Sequence, residues 1–440
     1  MRDLLILGIV GAWLPMALVH TWIGVLLWTW VSLMTPHRLA FGFMATAPLA
    51  AVAGGVTLLS LIITRDKLRM PWAPPVVALF LFVAWMCVTT IFAIDPTGSL
   101  TQLNKIFKIQ LMTAVGLLAF HERRHIELFI WVNVASIGYF GTKGGLFTLL
   151  TGGVHRVWGP DGGFIADNNA LAVAVVMIIP LMNYLRLVAT NRWVRLGLLV
   201  GMLLCAASVL GSQSRGALLA ICAMGAVFWY RSNRKAMVGV LIVIVAAALL
   251  AFMPDTWTER METITEHEQD RSASIRLLAW RTAINVANHR PTGGGFEMYQ
   301  RYITVMYGPP ELTGAPAAHS IYFSVLGEHG YIGLFLFLMV WWLTFRVAGS
   351  IRKQARDQAD LAWIYHLAGM CQVTLVGYLS GGAFLSLAYF DLPYNILIVL
   401  VVAQHWLGQR AKTTRATGKG DSEILPGSPE KPDTLPRTLA

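Results

Sequence analysis

The feature that most constrains this chain is a succession of apolar runs of bilayer-crossing length, separated by short polar segments, from Leu4 to about Leu407. Crossing hydrocarbon takes about 20 apolar residues in a helix. Lipid offers no partner for backbone N–H and C=O groups, so a spanning segment must satisfy them within a helix or a closed barrel. The runs lack the alternation of apolar and polar residues that barrel strands show. With 56% of its 440 residues hydrophobic and 13% charged, the chain lies far from the composition of a soluble domain. It reads as an all-α polytopic membrane protein. The four cysteines, Cys87, Cys205, Cys222 and Cys371, all fall inside apolar runs, so neither a redox pair nor a zinc site is expected.

The net charge of +11 is informative through its placement. Basic clusters stand at residues 65–69, 121–125, 186–195, 231–235 and 346–356, and in the C-terminal tail. Between them lie 95–105, 141–169, 211–215, the long segment 254–320 and a short turn at 388–393. The alternation follows the positive-inside rule, with the second set outside, and leaves no nucleic-acid footprint. After the first basic loop about ten spans follow, near 75–94, 106–120, 126–140, 170–188, 193–210, 216–230, 236–253, 321–345, 361–382 and 394–407. The run Leu4–Met34, with Pro15 and His20 near its middle, suits one broken element better than two spans. With 41–64 as one helix, that gives about twelve spans and a cytoplasmic N-terminus, against about thirteen and an external one for two full spans. The expected organisation is a transmembrane bundle over 1–253, an external lid over 254–320, further spans over 321–409 and a disordered cytoplasmic tail over 410–440. Within the lid, SASIRLLAWRTAINVANHR has helical spacing and ends at the breaker PTGGG.

Residues able to carry chemistry gather on the outer side. His319, in GAPAAHS, stands where the lid enters an apolar helix; the N–H groups and dipole there favour an anion, and an imidazole accepts a proton near neutral pH. Taken alone it is more simply an interfacial cap. Arginines shift that balance. Arg215 in SQSRGALLA, Arg156 in GGVHRVWGPDGG, and Arg276, Arg281 and Arg290 in the lid place positive charge where it is normally scarce. A pyrophosphate would account for it, because guanidinium forks match phosphate oxygens. Arg271, Arg290 and Arg301 read better as a solvated face. No DxD motif occurs in the outer loops, so no metal or other cofactor is expected; Asp167 reads as the cap of a helix starting near Ala170. Glu328 follows His319 by nine positions, which puts it on the opposite helix face, where a supporting partnership with an arginine is expected rather than a second catalytic role. His121 and His125 belong to a solvated basic turn.

In order, ADNNALA, SQSRGALLA, RLLAWRTAINVANHRPTGGGFEMY and HSIYFSVLGEHGYIG resemble the bacterial O-antigen ligase and Wzy polymerase superfamily, motif by motif over roughly 150–345 and in hydropathy over nearly the whole chain. The opening MRDLLILGIVGAWLPMAL and the loop GGVHRVWGPDGGFIADNN look closest to an exosortase-associated branch of O-glycosylation ligases. The resemblance implies a GT-C-type fold in the bacterial inner membrane. It also implies metal-independent, inverting transfer of a glycan from undecaprenyl diphosphate to an acceptor such as lipid A-core, at the periplasmic face. It implies His319 as the essential histidine, and Arg215 with a lid arginine, best Arg276, as the essential cations; Arg156 joins them from the outer loop. This chain has Ser320 where many relatives carry asparagine, so no role of that neighbour carries over. A Wzy-type polymerase and a protein O-oligosaccharyltransferase share these features. A lipid-linked glycan transporter would show inverted repeats and charges at mid-membrane, whereas the charges here cluster at one face.

Overall fold

The computed structural model describes residues 1–231, 234–254 and 271–420, with fifteen α-helices and no strand among them. In chain order they are α1 (Arg2–Val19), α2 (Thr21–Met34), α3 (Leu49–Ile63), α4 (Pro74–Ile91), α5 (Pro96–Ala119), α6 (Arg123–Leu150), α7 (Asn168–Val188), α8 (Arg192–Gly211), α9 (Arg215–Arg231) and α10 (Lys235–Phe252). The lid supplies α11 (Arg271–His289) and the short α12 (Arg301–Tyr307), and α13 (Ile321–Ala355), α14 (Ala362–Gly382) and α15 (Asp391–Gly420) complete the bundle. Five of them, α1, α4, α7, α8 and α13, are each long and apolar enough to cross a membrane. The chain is a multi-pass membrane protein. The lid residues 255–270 and the tail 421–440 lie outside the described residues.

Helix α7 is the axis. Its Asp167 cap accepts hydrogen bonds from the Asn169 and Ala170 N–H groups, at 2.8 and 3.0 Å. From Ala170 to Leu185 it is buried almost all round, packed among α6, α8, α9 and α14, as befits a helix without a polar face. Beside it, α6 and α8 approach closely. A Cβ at Gly141 would lie 2.6 Å from Cys205 Sγ, and one at Gly145 would strike the Leu204 carbonyl oxygen, so the crossing tolerates only small residues there.

Three departures from the sequence reading bear on the site. First, α1 and α2 form an antiparallel pair that turns at His20, which is extended, while Pro15 stays inside α1. At the turn His20 Nδ1 lies 3.0 Å from Asp66 Oδ1; at the far end Arg2 donates to the Leu39 carbonyl at 3.2 Å. Met1 therefore lies at the end of the bundle that carries Thr35 and Arg38, opposite the basic turn at Asp66. This is the arrangement of two helices rather than of one broken element. Second, α5 begins at Pro96, where Asp95 caps it, and α6 runs on to Leu150, so the loop read as 141–169 shrinks to 151–167. The Gly- and Thr-rich end of α6 stays helical because Thr142, Thr148 and Thr151 return their hydroxyls to carbonyls one turn back, and because its glycines seat α8. Third, α15 continues to Gly420, ten residues past the expected start of the tail.

Candidate active site

Three helix N-termini converge at the end of the bundle where the lid sits. The Asn168 side-chain amide, on α7, donates to the Ser212 carbonyl at 2.7 Å, which ties that N-terminus to the turn starting α9. A Cβ at Gly216 would lie 3.2 Å from Phe384 Cβ, and one at Gly382 would lie 2.7 Å from Ile321 Cδ1. The starts of α9 and α13 thus flank one turn, 381–384. The positive dipole ends of three helices facing one region create a field that favours an anion.

His319 stands at this mouth in the left-handed backbone region, with φ of 44°. A side chain there costs on the order of 1 kcal/mol, so the surroundings must hold it. Trp280 of α11 does much of that, donating from Nε1 to the Ala318 carbonyl at 2.7 Å and stacking on Phe323 with ring centroids 4.6 Å apart. Arg276 lies one turn before Trp280 on the same face of α11. The imidazole is open to solvent at its edge, and among the described residues its ring nitrogens have no hydrogen-bond partner. Burial by the surrounding rim lowers the His319 pKa below the usual histidine value; Arg276 lowers it further, and Asp167 partly opposes this. The shift favours the neutral ring, the form whose lone pair can accept a proton. Next to it, the Ser320 hydroxyl is buried without a protein partner among the described residues.

Arg215 opens α9, which the Ser214 hydroxyl caps by accepting from the Ala217 N–H at 3.2 Å. Arg156 reaches the same turn: its Nε donates to Gln213 Oε1 at 3.2 Å, and the Val157 N–H donates to the Gly211 carbonyl at 3.2 Å. The fold therefore brings His319 and Arg276 together, brings Arg156 to the turn that carries Arg215, and sets both groups around residues 381–384.

Glu328 stands apart, about 10 Å along α13 from Ile321. Its partner is the Tyr389 hydroxyl, which donates to Oε2 at 2.6 Å; among the described residues the expected arginine is not there. A hydroxyl satisfies the carboxyl group without bringing a second charge out of water, which costs less in a low-dielectric interior. Tyr389 Oη also lies 2.9 Å from Nε2 of His329, whose Nδ1 lies 2.7 Å from Thr89 Oγ1. This buried group lies under a clasp in which the Gly294 and Gly295 N–H groups donate to the Gly327 and Glu328 carbonyls, at 2.8 and 2.9 Å. Gly330, with φ of 67°, bends α13 there, and a Cβ on it would meet the Pro291 carbonyl oxygen. Arg290, expected on a solvated face, instead locks the clasp by donating to the Phe92 carbonyl at 2.6 Å and the Gly293 carbonyl at 3.1 Å. The sequence reading missed His329, Thr89 and Tyr389. For His329 the triplet Glu-His-Gly inside an apolar run was a usable signal; for Tyr389 none existed, because its partners lie 60 residues away.

Among the described residues no three His, Cys, Asp or Glu side chains group together as metal ligands would. Residues 200–338 match a family model described as O-antigen ligase. Residues 1–190 match a second, described as a family of unknown function, DUF5935. No curated protein matches the chain.

Proposed function

We propose that this chain, which carries an O-antigen ligase domain over residues 200–338, transfers a glycan from undecaprenyl diphosphate to a hydroxyl of lipid A-core at the periplasmic face of the inner membrane. The observation that carries the reading is an imidazole whose ring nitrogens have no hydrogen-bond partner among the described residues, set beside Arg276 and across one turn from Arg215, where three helix N-termini meet. Glycosyl transfer from a diphosphate needs those two functions and little else.

The acceptor hydroxyl loses its proton to His319 as its oxygen attacks the anomeric carbon. The bond from that carbon to the diphosphate oxygen breaks on the opposite face, so configuration inverts. Undecaprenyl diphosphate departs with its new charge held by Arg215, Arg276 and the helix N-termini, while Arg156 steadies the Gln213–Arg215 turn and adds positive potential. His319 then returns its proton to solvent. A diphosphate is a good leaving group without protonation, so no acid is assigned. Ser320, whose hydroxyl is buried and unpartnered, is placed to orient the acceptor or a phosphate oxygen. Glu328 supports the fold through Tyr389 and takes no part in proton transfer.

The test is reconstitution of the purified chain with lipid-linked glycan and lipid A-core. Glycan appearing on the core, with undecaprenyl diphosphate released, supports the reading. Elongation of the lipid-linked glycan would point to a polymerase, and labelling of protein would point to a protein glycosyltransferase; either outcome refutes the lipid A-core assignment.

A further inference from the structure

The loop 151–167 has two working edges. One carries Arg156 and Asp167 to the mouth described above. Its middle touches other parts of the region 1–190, to which the loop itself belongs and which matches the family of unknown function. There Gly162, with φ of 78°, lies against the guanidinium of Arg38: a Cβ on it would be 3.4 Å from Nη2. Two residues on, the Phe164 ring carries the Lys105 ammonium 4.2 Å from its centroid and packs near Phe390, with ring centroids 6.2 Å apart. Two residues of chain span at most about 7 Å, so the two cations flank one short stretch of backbone.

Both are exposed, and among the described residues neither has a carboxylate within ion-pair distance. Lys105 feels the charge of Asp391, which accepts a hydrogen bond from Ser32 at 2.9 Å. Lys105 lies about 14 Å along α5 from its first residue, so it projects from the side of the bundle. One turn further on, on the same face, Ile109 lines a small pocket between α2, α5 and α15, whose wall includes Trp28 and Ile398 and whose polar groups are Thr29, Thr113, Asp391 and Asn395. Lys105 thus sits one turn from a partly apolar recess of the membrane bundle. On the outer side, where the positive-inside rule makes cations scarce, basic groups that have no carboxylate within ion-pair distance among the described residues call for an anion.

We infer that Arg38 and Lys105 bind phosphate groups of the acceptor lipid, so that the 1–190 region supplies the acceptor's docking site. This rests on the proposed ligase reading, which gives the enzyme two lipid substrates. The donor's diphosphate has its cations at the His319 mouth, and these two lie against the middle of the same loop, at Gly162 and Phe164. Phe164 is three residues from Asp167, whose charge reaches His319, so a headgroup held at Lys105 leaves its sugar about 10–20 Å from the imidazole, a short oligosaccharide's reach.

The test uses the full chain in neutral detergent, with wild type compared against the Arg38→Gln/Lys105→Gln double variant, checked for unchanged melting temperature. The probes are bisphosphorylated lipid A, the same lipid dephosphorylated, phosphatidylglycerol and undecaprenyl diphosphate. Lipid A should bind wild type about 10-fold or more tighter than the double variant or its own dephosphorylated form, as two lost charge-assisted contacts imply. Arg38→Lys/Lys105→Arg should retain most of the affinity, and undecaprenyl diphosphate should bind wild type and double variant alike. Equal lipid A affinity in wild type and double variant overturns the site. Phosphatidylglycerol binding as tightly as lipid A overturns the acceptor assignment in favour of bulk lipid. The two readings fail separately. Transfer to lipid A-core with an unchanged acceptor KM in the double variant sinks this inference alone; phosphate-dependent lipid A binding without any transfer to it sinks the ligase reading alone.

Discussion

His319 and His329 stand ten residues apart on one stretch of chain and have opposite surroundings. His319 is at a helix mouth, open to solvent at its edge, in a left-handed backbone conformation, with neither ring nitrogen engaged among the described residues. His329 is 0% exposed, with Tyr389 at one ring nitrogen, Thr89 at the other and the Phe296 ring edge-on, centroids 4.5 Å apart. The difference teaches where to look for chemistry. A base needs a lone pair that substrate can reach, and an imidazole saturated by two hydroxyls has none to offer. The second histidine is a joint: it ties α4, the bend of α13 and the 383–390 turn together.

The comparison is broken most sharply at His319. His319→Ala should lower single-turnover glycan transfer by about 100-fold or more with folding intact, the usual size of a general-base contribution. A variant that turns over normally once saturated with donor, but binds donor poorly, would make His319 a phosphate ligand instead. Arg215 comes next. Arg215→Ala should weaken undecaprenyl diphosphate binding about tenfold or more, and Arg215→Lys should restore little of it, because an ammonium keeps the charge and loses the fork. Full recovery with lysine would reduce Arg215 to a point charge.

At His329 the expected effect is on stability. His329→Ala and Tyr389→Phe each leave buried polar groups unpartnered, at a cost of about 1–3 kcal/mol, read as a fall in melting temperature. For Tyr389→Phe, which keeps the ring, the loss of turnover should be no larger than the loss of folded protein. A 100-fold loss in a fully folded Tyr389→Phe protein would move this cluster into the reaction.

The smallest effect sharpens the first. Transfer should fall as pH drops through the His319 pKa, which lies below the ordinary histidine value, and should be flat through neutral pH. Removing the positive charge of Arg276 favours the imidazolium, so Arg276→Gln should move the acid limb of the pH profile to higher pH. An acid limb that stays in place would detach Arg276 from His319.

How much of this was legible differs by residue. Helix α7 was read with its cap, because Asp167 and the apolar run after it are local signals. Helices α5 and α6 were read short, because Lys, Gln, Gly and Thr look like loop until a neighbouring helix covers them. Arg276 was singled out through the family resemblance as a cation for the diphosphate; that its charge acts on His319 is visible only in the folded chain. Arg290 was misread, because one of the two carbonyls it holds, that of Phe92, lies almost 200 residues away. Glu328 was recognised as a buried carboxyl in need of a partner, but the partner was named wrongly.

Read as a string, the chain settles its class, its helical runs and the end of the bundle at which charge and histidine gather, because hydrophobic length and loop charge are properties of contiguous residues. Tertiary structure alone decides that α1 doubles back on α2, and that Tyr389 rather than an arginine completes Glu328. It alone sets Arg38 against Gly162 and Lys105 over Phe164, two residues apart on one loop. Those facts depend on which distant segments touch, and contact between distant segments is settled by packing the whole bundle at once, with every buried polar group needing a partner.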